Sequence, residues 1–366
     1  MKTPFKLKGV HAKARVGVLK TRHGKIQTPF FMPVATKGSV KLLTFEELSK
    51  MKTECVISNG YILSLRPGLD TIQKAGGLHK FVNWQGGIFT DSGGFQILRP
   101  EFFTRITDME VEFRNPFDRR ADFLSPEKSI MIQNRLGSDV AMCLDDVPTF
   151  GSDAARLQES VERTFAWAKR CKEAHSNKDQ LLFGIAQGGT NEKLRKRSCE
   201  QIAGLDFDGF ALGGLRIGEP AALTQKMVLI SASLFEESKP RYLMGVGSPQ
   251  DLFAAVESGV DCFDSAFPTQ VARHGLAFSH LGRINISNSK HRFELKPLDS
   301  DCRCLVCESH SRAYLHHLVR TGEENGLKYL SYHNLFFIQS LVDEIRVSIA
   351  QESLSGLKKE YSFSKM

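Results

Sequence analysis

Short apolar runs of five to seven residues recur along the chain, most of them ending in glycine or a polar residue. They occupy positions 30–35 (FFMPVA), 55–59 (CVISN), 88–92 (IFTDS), 140–145 (VAMCLD), 181–187 (LLFGIAQ), 209–214 (GFALGG), 242–247 (YLMGVG) and 261–266 (DCFDSA). Runs of this length bounded by turn residues read as strands buried on both faces, the kind found in parallel sheets. The stretches between them carry helical signals. Thr44 with Glu47 forms a capping box, and Ser125–Pro126 places an N-cap before a first-turn proline. Leu157, Val161 and Phe165 repeat at i+4 within 153–176, and Ile338, Leu341, Ile345 and Ile349 line one face near the end. Eight buried strands alternating with amphipathic helices predict an α/β fold, a closed (β/α)8 TIM barrel whose functional residues gather where the strands end. An open doubly wound sheet is the rival, disfavoured because no G-x-G-x-x-G follows an early strand.

Two stretches depart from the alternation. Residues 101–120 are charged with Phe-rich interludes and read as a hairpin or an excursion over the barrel mouth. Residues 283–334 interrupt the last βα unit and hold a cluster of cysteines. The whole chain, 1–366, is therefore expected to be one catalytic domain, with 283–334 a metal-binding insertion.

Composition adds little to the fold but narrows the setting. The chain has 366 residues, 41% apolar and 25% charged, with 49 Lys+Arg against 41 Asp+Glu. Those are ordinary globular values, and a net charge of +8 is only a weak pointer to a polyanion. Its distribution says more: residues 269–320 hold eight Lys and Arg and four Asp and Glu, half of the excess in a seventh of the chain. The start (MKTPFKLKGV) has no apolar core for a signal peptide, and no run approaches the roughly 18 apolar residues of a membrane span. Five scattered cysteines in mostly apolar surroundings suit reduced, buried thiols. A cytoplasmic protein with no membrane association is expected.

The other three cysteines form Cys302-x-Cys304-x-x-Cys307. Three thiolates within six residues are what one loop can offer a tetrahedral zinc ion, and a fourth ligand must come from further on. His310 is too near to close the cage without strain, while His316 and His317 sit in a helical stretch. His333, immediately before the last helix, can return to the loop and is taken as the fourth ligand. Three surface thiols without metal would be an oxidation liability. A zinc deaminase is disfavoured, since no H-x-E with a downstream P-C-x-x-C occurs. Four protein ligands leave no open position, so this zinc is expected to be structural.

Carboxylates recur where strands end: Asp91 in TDSGGFQ, Asp145 and Asp146 in LDD, and Asp264 in FDSA. Gln187-Gly188-Gly189 and Gly213-Gly214-Leu215 end two further strands. In a barrel all of these converge on one rim. Each aspartate alone reads more readily as a cap or turn former; their joint placement is the signal. One chemistry that needs such a set is displacement at a glycosidic carbon, with one carboxylate attacking and another moving the proton. Recognition of a purine edge is another, since a carboxylate accepts from N1–H and N2–H while an amide or glycine N–H donates to O6.

With these motifs in view the chain resembles, across nearly its whole length, the queuine tRNA-ribosyltransferases, or tRNA-guanine transglycosylases. The resemblance rests on FMPVATKG, TDSGGFQ, FLSPE, IAQGG, GFALGGLRIGE, YLMGVG, FDSAFPT, CxCxxC, SRAYLHHL and YHNL. It implies a barrel with an inserted zinc module, commonly dimeric. Such enzymes exchange guanine 34, the wobble base of tRNAs with G-U-N anticodons, for a free 7-deazaguanine. By resemblance Asp264 is the nucleophile at ribose C1′ and Asp91 the general acid/base. Asp145, Gln187 and the backbone of Gly214 read the purine edge, with Ser92, Gly93, Gly94 and Leu215 around it, and Phe95 and Met244 sandwich the ring. Glu219 matches the position that supports the Leu215 peptide. Gly245, Val246, Gly247, Ser248, Pro249, Gln250 and Asp251, with Thr269, Gln270, Val271, Ala272 and Arg273, correspond to RNA-contacting segments. Cys302, Cys304, Cys307 and His333 match the zinc ligands.

Two positions, Val147 and Gln270, depart from the family pattern. Bacterial members usually have a cysteine where Val147 stands, and the DDV form looks like the branch that accepts queuine. Ile217 instead keeps a branched residue where that branch has glycine. The balance is taken as queuine or relaxed specificity, with the smaller preQ1 as alternative. Gln270 replaces a usual arginine, which leaves Arg273 to carry more of the RNA contact. A different class of protein, a non-catalytic zinc-containing RNA-binding partner subunit, would be marked by loss of the nucleophile, yet both Asp91 and Asp264 are present.

Overall fold

The computed structural model describes residues 4–94 and 101–361. All eight apolar runs are strands of one parallel sheet: β1 (Phe30–Pro33), β2 (Cys55–Asn59), β3 (Gly87–Asp91), β4 (Val140–Met142), β5 (Leu181–Ala186), β6 (Gly209–Leu212), β7 (Arg241–Leu243) and β8 (Cys262–Ser265). Their spatial order is β1-β8-β7-β6-β5-β4-β3-β2. The sheet closes through a parallel bridge between Val34 and Ile57, with the Ala35 N–H donating to the Ile57 carbonyl at 2.7 Å. The result is the expected (β/α)8 barrel.

Strand parity sorts the side chains into two layers. Phe30, Met32, Cys55, Ile57, Phe89, Val140, Met142, Phe183, Ile185, Ala211, Tyr242 and Cys262 form one buried cluster. The intervening residues, among them Phe31, Val56, Ile88, Ala141, Leu182, Phe210, Leu243 and Phe263, join a second cluster with residues of the surrounding helices, such as Ile132, Trp167 and Ile338. The expected helices are in place, including Phe45–Lys50 behind its capping box, Pro126–Leu136 behind Ser125, and Ala154–Ala174.

A three-stranded antiparallel sheet (Phe5–His11, Ala14–Thr21, Gly24–Thr28) precedes the barrel. Its Phe5, Leu19 and Ile26 belong to the same buried cluster as the inward-facing strand residues. This sheet therefore plugs the end of the barrel where the strands begin. Short strands alternating apolar with basic residues had no place in the expectation of long apolar runs.

The charged excursion is a second three-stranded meander, Phe103–Ile106, Val111–Arg114 and Ala121–Leu124. It is fastened by the Tyr61 hydroxyl donating to Asp122 at 2.7 Å and by the Trp167 indole N–H donating to the Asp108 carbonyl at 2.7 Å. After β8 come a short helix (Phe267–Ala272), a hairpin (Leu276–Ser279 with Gly282–Asn285), the cysteine loop and a helix Arg312–Thr321. The helix Glu324–Ala350 then returns to the barrel, where Gln339 donates to the Phe31 carbonyl at 3.2 Å and Arg346 to the Pro29 carbonyl at 2.9 Å. One expectation is corrected here. His333 does not precede the last long helix but lies inside it, because no proline breaks the apolar periodicity between 324 and 350.

Candidate active site and metal centre

The inward positions of the strands continue onto the rim in steps of two. Asp91 follows Phe89, Gln187 follows Ile185, Met244 follows Tyr242 and Asp264 follows Cys262, each two residues beyond an inward-facing residue. Four of the expected site residues thus arrive at one opening by parity alone. Asp145 does not follow that count, since the β4 ladder ends at Met142.

Asp264 is the most firmly held carboxylate. Its Oδ1 accepts from the Tyr242 hydroxyl at 2.6 Å and from the Gly245 N–H at 2.8 Å. Among the described residues no hydrogen bond engages Oδ2, which is left available to a substrate atom. Burial pushes its carboxyl above the usual range, and the two hydrogen bonds oppose that. Burial, and then the charges of Asp264 and Asp91, hold the Tyr242 phenol well above its ordinary value, so it stays a donor. Both carboxylates therefore lie within electrostatic reach of one phenol. Asp91 accepts from the Gly93 N–H at 2.9 Å, closing a tight turn. Gly93 has φ +85 and no room for a Cβ against Tyr61, which explains the glycine. Ser92 and Gly94 are buried beside it; Phe95 lies outside the described residues.

Asp145 and Asp146 have opposite fates. Asp146 is fully buried between Arg156 and Arg163, with contacts of 2.8 and 2.6 Å, and serves the fold. Asp145 is paired with a neutral group: the Gln187 Nε2 donates to its Oδ2 at 2.6 Å. Burial raises its carboxyl to about 7, against that hydrogen bond. The Gln187 Oε1 is buried without a partner among the described residues. Gly213 and Gly214 lie against this amide, and a Cβ on either would collide with it. The Glu219 carboxylate accepts from the Arg216 N–H, the amide of the Leu215–Arg216 peptide, from the Ile217 N–H at 3.0 Å and from the Thr224 hydroxyl at 2.7 Å. Burial disfavours its charge, yet these bonds hold the carboxyl below its usual range.

The two segments assigned to RNA show unequal surfaces. Val246, Gly247, Ser248 and Pro249 are buried, so Gly245, Gln250 and Asp251 are what that turn presents. In the second segment Gln270 is exposed, Thr269 and Ala272 are buried, and Val271 and Arg273 are half-buried. Arg273 donates to the Thr269 carbonyl at 3.0 Å.

Cys302, Cys304, Cys307 and His333 are all buried and converge. The His333 Nδ1 lies 3.8, 3.4 and 3.3 Å from the three sulfurs. Ligands of a tetrahedral zinc, with bonds near 2.3 Å to sulfur and 2.0 Å to nitrogen, stand about 3.6 Å apart, so these four could hold such an ion. The His333 Nε2 meets the Phe278 carbonyl at 2.7 Å, which fixes Nδ1 as the atom facing the sulfurs.

The family model described as queuine tRNA-ribosyltransferase matches residues 11–365. The chain belongs to that family. The queuine tRNA-ribosyltransferase of Halothermothrix orenii is 45% identical over 352 residues, covering 96% of this chain and 94% of the relative. That of Lysinibacillus sphaericus is 46% identical over 349 residues (95% and 92%), and that of Staphylococcus aureus 45% identical over 349 residues (95% and 92%). The chain is thus an enzyme of the queuine tRNA-ribosyltransferase family, and its three cysteines and histidine are compatible with zinc. Among the described residues no helix is long and apolar enough to cross a membrane.

Three residues that hold these candidate site residues in place carry no motif signal of their own. Tyr242 holds Asp264, but an inward aromatic on a barrel strand reads as core. Ser198 accepts the Gln187 N–H at 2.8 Å, and Arg195 is buried beneath two rim loops. Both sit in a helix, Glu192–Ala203, whose EKLRKR opening reads as a solvated charged face.

Proposed function

We propose that this enzyme exchanges guanine 34 in tRNAs with G-U-N anticodons for a 7-deazaguanine base through a covalent Asp264–ribose intermediate. The observation that carries the reading is the pair of strand-end carboxylates on one rim, with Asp264 gripped through one oxygen by Tyr242 and Gly245. In the first half, Asp264 attacks C1′ as the bond to guanine N9 breaks, and Asp91 delivers a proton to the leaving base. In the second, Asp91 takes a proton from the incoming base, which displaces Asp264. Two inversions retain configuration, and a carboxylate beside an oxocarbenium-like carbon stabilises each transition state. One N-glycoside replaces another, so no energy-rich cofactor is needed. The target base has to leave its stack, which costs a few kcal/mol, least in a single-stranded loop. Asp145, Gln187 and Gly214 read its edge, with Met244 and Phe95 against its faces.

Cys302, Cys304, Cys307 and His333 hold one structural zinc ion, which ties the cysteine loop to the helix at 324–350. Eight free, buried cysteines suit the reducing cytoplasm, and the family resemblance supports a homodimer. Val147 and Ile217 are both half-buried near the purine readers; Val147, without a polar thiol, suits queuine's apolar ring, while Ile217 argues for a tighter pocket, and the balance is taken as queuine or relaxed specificity.

Incubating tRNA with labelled guanine tests the reading. Incorporation by the native chain is expected, with an RNA adduct on denaturing gels that Asp264→Asn abolishes while tRNA affinity persists. Tight binding without incorporation would instead favour a non-catalytic partner subunit, and an adduct that survives in Asp264→Asn would remove Asp264 as nucleophile. A higher kcat/KM for preQ1 than for queuine on the same tRNA would reverse the base preference.

A further inference from the structure

Arg195 is fully buried, yet no carboxylate lies within ion-pair distance of it among the described residues. Its guanidinium donates only to backbone carbonyls. Nη1 reaches the Ala186 oxygen at 2.9 Å, Nε and Nη2 reach the Gly189 oxygen at 3.2 and 2.9 Å, and Nη2 also reaches the Gly213 oxygen at 3.0 Å. It stands in the first turn of its helix, where the macrodipole also disfavours a cation. Burial lowers its proton affinity only to about 10, so it remains charged at neutral pH. Burying a cation with no counter-ion at contact distance is costly, and what offsets that cost here is four hydrogen bonds to backbone carbonyls. The use of this residue therefore lies in what those carbonyls belong to.

The Ala186 carbonyl belongs to the peptide whose N–H is that of Gln187, and this N–H is held by Ser198, three residues after Arg195 on the same helix. One helical face thus grips both polar ends of the peptide that precedes Gln187. The Gly213 carbonyl belongs to the peptide whose N–H is that of Gly214. In a trans peptide the N–H points opposite to the C=O, so pinning the oxygen on the guanidinium aims the Gly214 N–H away from Arg195. A charge-assisted bond to the carbonyl also polarises the amide and makes its N–H a stronger donor.

We propose that Arg195 is a positioning residue for purine recognition, orienting and polarising the Gly213–Gly214 peptide so that its N–H discriminates for a base with an acceptor at the 6-position. The proposal rests on Gly214 and Gln187 being base contacts, and it adds the source of their selectivity.

The test compares guanine with 2-aminopurine, which lacks the 6-oxygen, as competitive inhibitors of label incorporation into tRNA. The wild-type enzyme is expected to prefer guanine; equal inhibition by the two bases would mean that the edge-reading assignment itself is wrong. Given that preference, Arg195→Met is expected to weaken guanine by about ten-fold or more, the size of one charge-assisted hydrogen bond, while 2-aminopurine changes by less than about two-fold. Arg195→Lys keeps the charge but cannot fork over three carbonyls, and is expected to fall between. Should the Met variant fail to fold, the Lys variant carries the same comparison. An unchanged guanine preference in the variants, whether both bases lose affinity equally or neither does, would overturn the proposal and leave Arg195 a structural support.

Discussion

Three aspartates at one rim have three different surroundings, and their chemistry follows from those rather than from their type. Asp146 lies between two arginines, Asp264 takes a phenol and an amide on one oxygen, and Asp145 takes the neutral Gln187 side chain. In the free protein the Asp145 carboxyl stands at about 7, against roughly 3.9 in an unfolded chain. The folded form therefore holds the proton more tightly, and burial of this group costs stability once the unfolded chain has ionised. Asp145→Asn removes that cost. Its stability advantage over the native chain is expected to grow between about pH 4 and pH 7 and to level off above, reaching on the order of 2 kcal/mol or more. Thermal melts across that range check it; a constant difference between the two proteins would contradict the assignment. At this scale the sequence was informative where parity applied. Asp91, Gln187 and Asp264 announce themselves two residues past an apolar inward position. Tyr242 and Arg195 do not, because their neighbours make one look like core and the other like solvated surface.

The elements were legible in proportion to their apolar runs. All eight barrel strands are marked by them, and the capping residues Thr44 and Ser125 each sit where a helix begins. The opening sheet was not legible, since KLKGVHAKARVGVLK interleaves apolar with basic residues, and even Arg15 in its second strand is buried. His333 was legible as a candidate ligand, and the structure brings it to the three cysteines, but its place relative to the helix was not, because the helix runs through it. That placement has a consequence for stability: one helix carries both the proposed fourth ligand and the contacts of Gln339 and Arg346 with β1 and the residue before it. Removing the metal should loosen the barrel as well as the loop. One zinc per chain is expected by elemental analysis. A strong chelator should lower Tm by several degrees, reversibly on adding Zn2+, as should His333→Ala. A chain that stays metal-free and equally stable would dissociate this cluster from zinc.

At the scale of the whole molecule, charge and shape divide the work. Half of the net +8 lies in residues 269–320, beginning with the segment that holds Gln270 and Arg273. Gln270 is exposed but uncharged, so on the proposed RNA contact the charge would come from Arg273, half-buried at the end of this short helix. Arg273→Ala is expected to weaken tRNA binding and to reduce the slope of log affinity against log salt by about one, the signature of one lost phosphate contact. An unchanged slope would assign the contact elsewhere.

The plug formed by the first three strands has a bearing on traffic. Phe5, Leu19 and Ile26 close the barrel where the strands begin, so on the proposed reaction both bases would come and go past the anticodon loop at the rim where the strands end. An outgoing base and an incoming base of the same size cannot pass one another there. The departing base would have to leave before its replacement is admitted, with the RNA held covalently on Asp264 in the interval. A barrel closed at one end would thus favour by its shape the ping-pong order that the proposed double displacement requires by its chemistry.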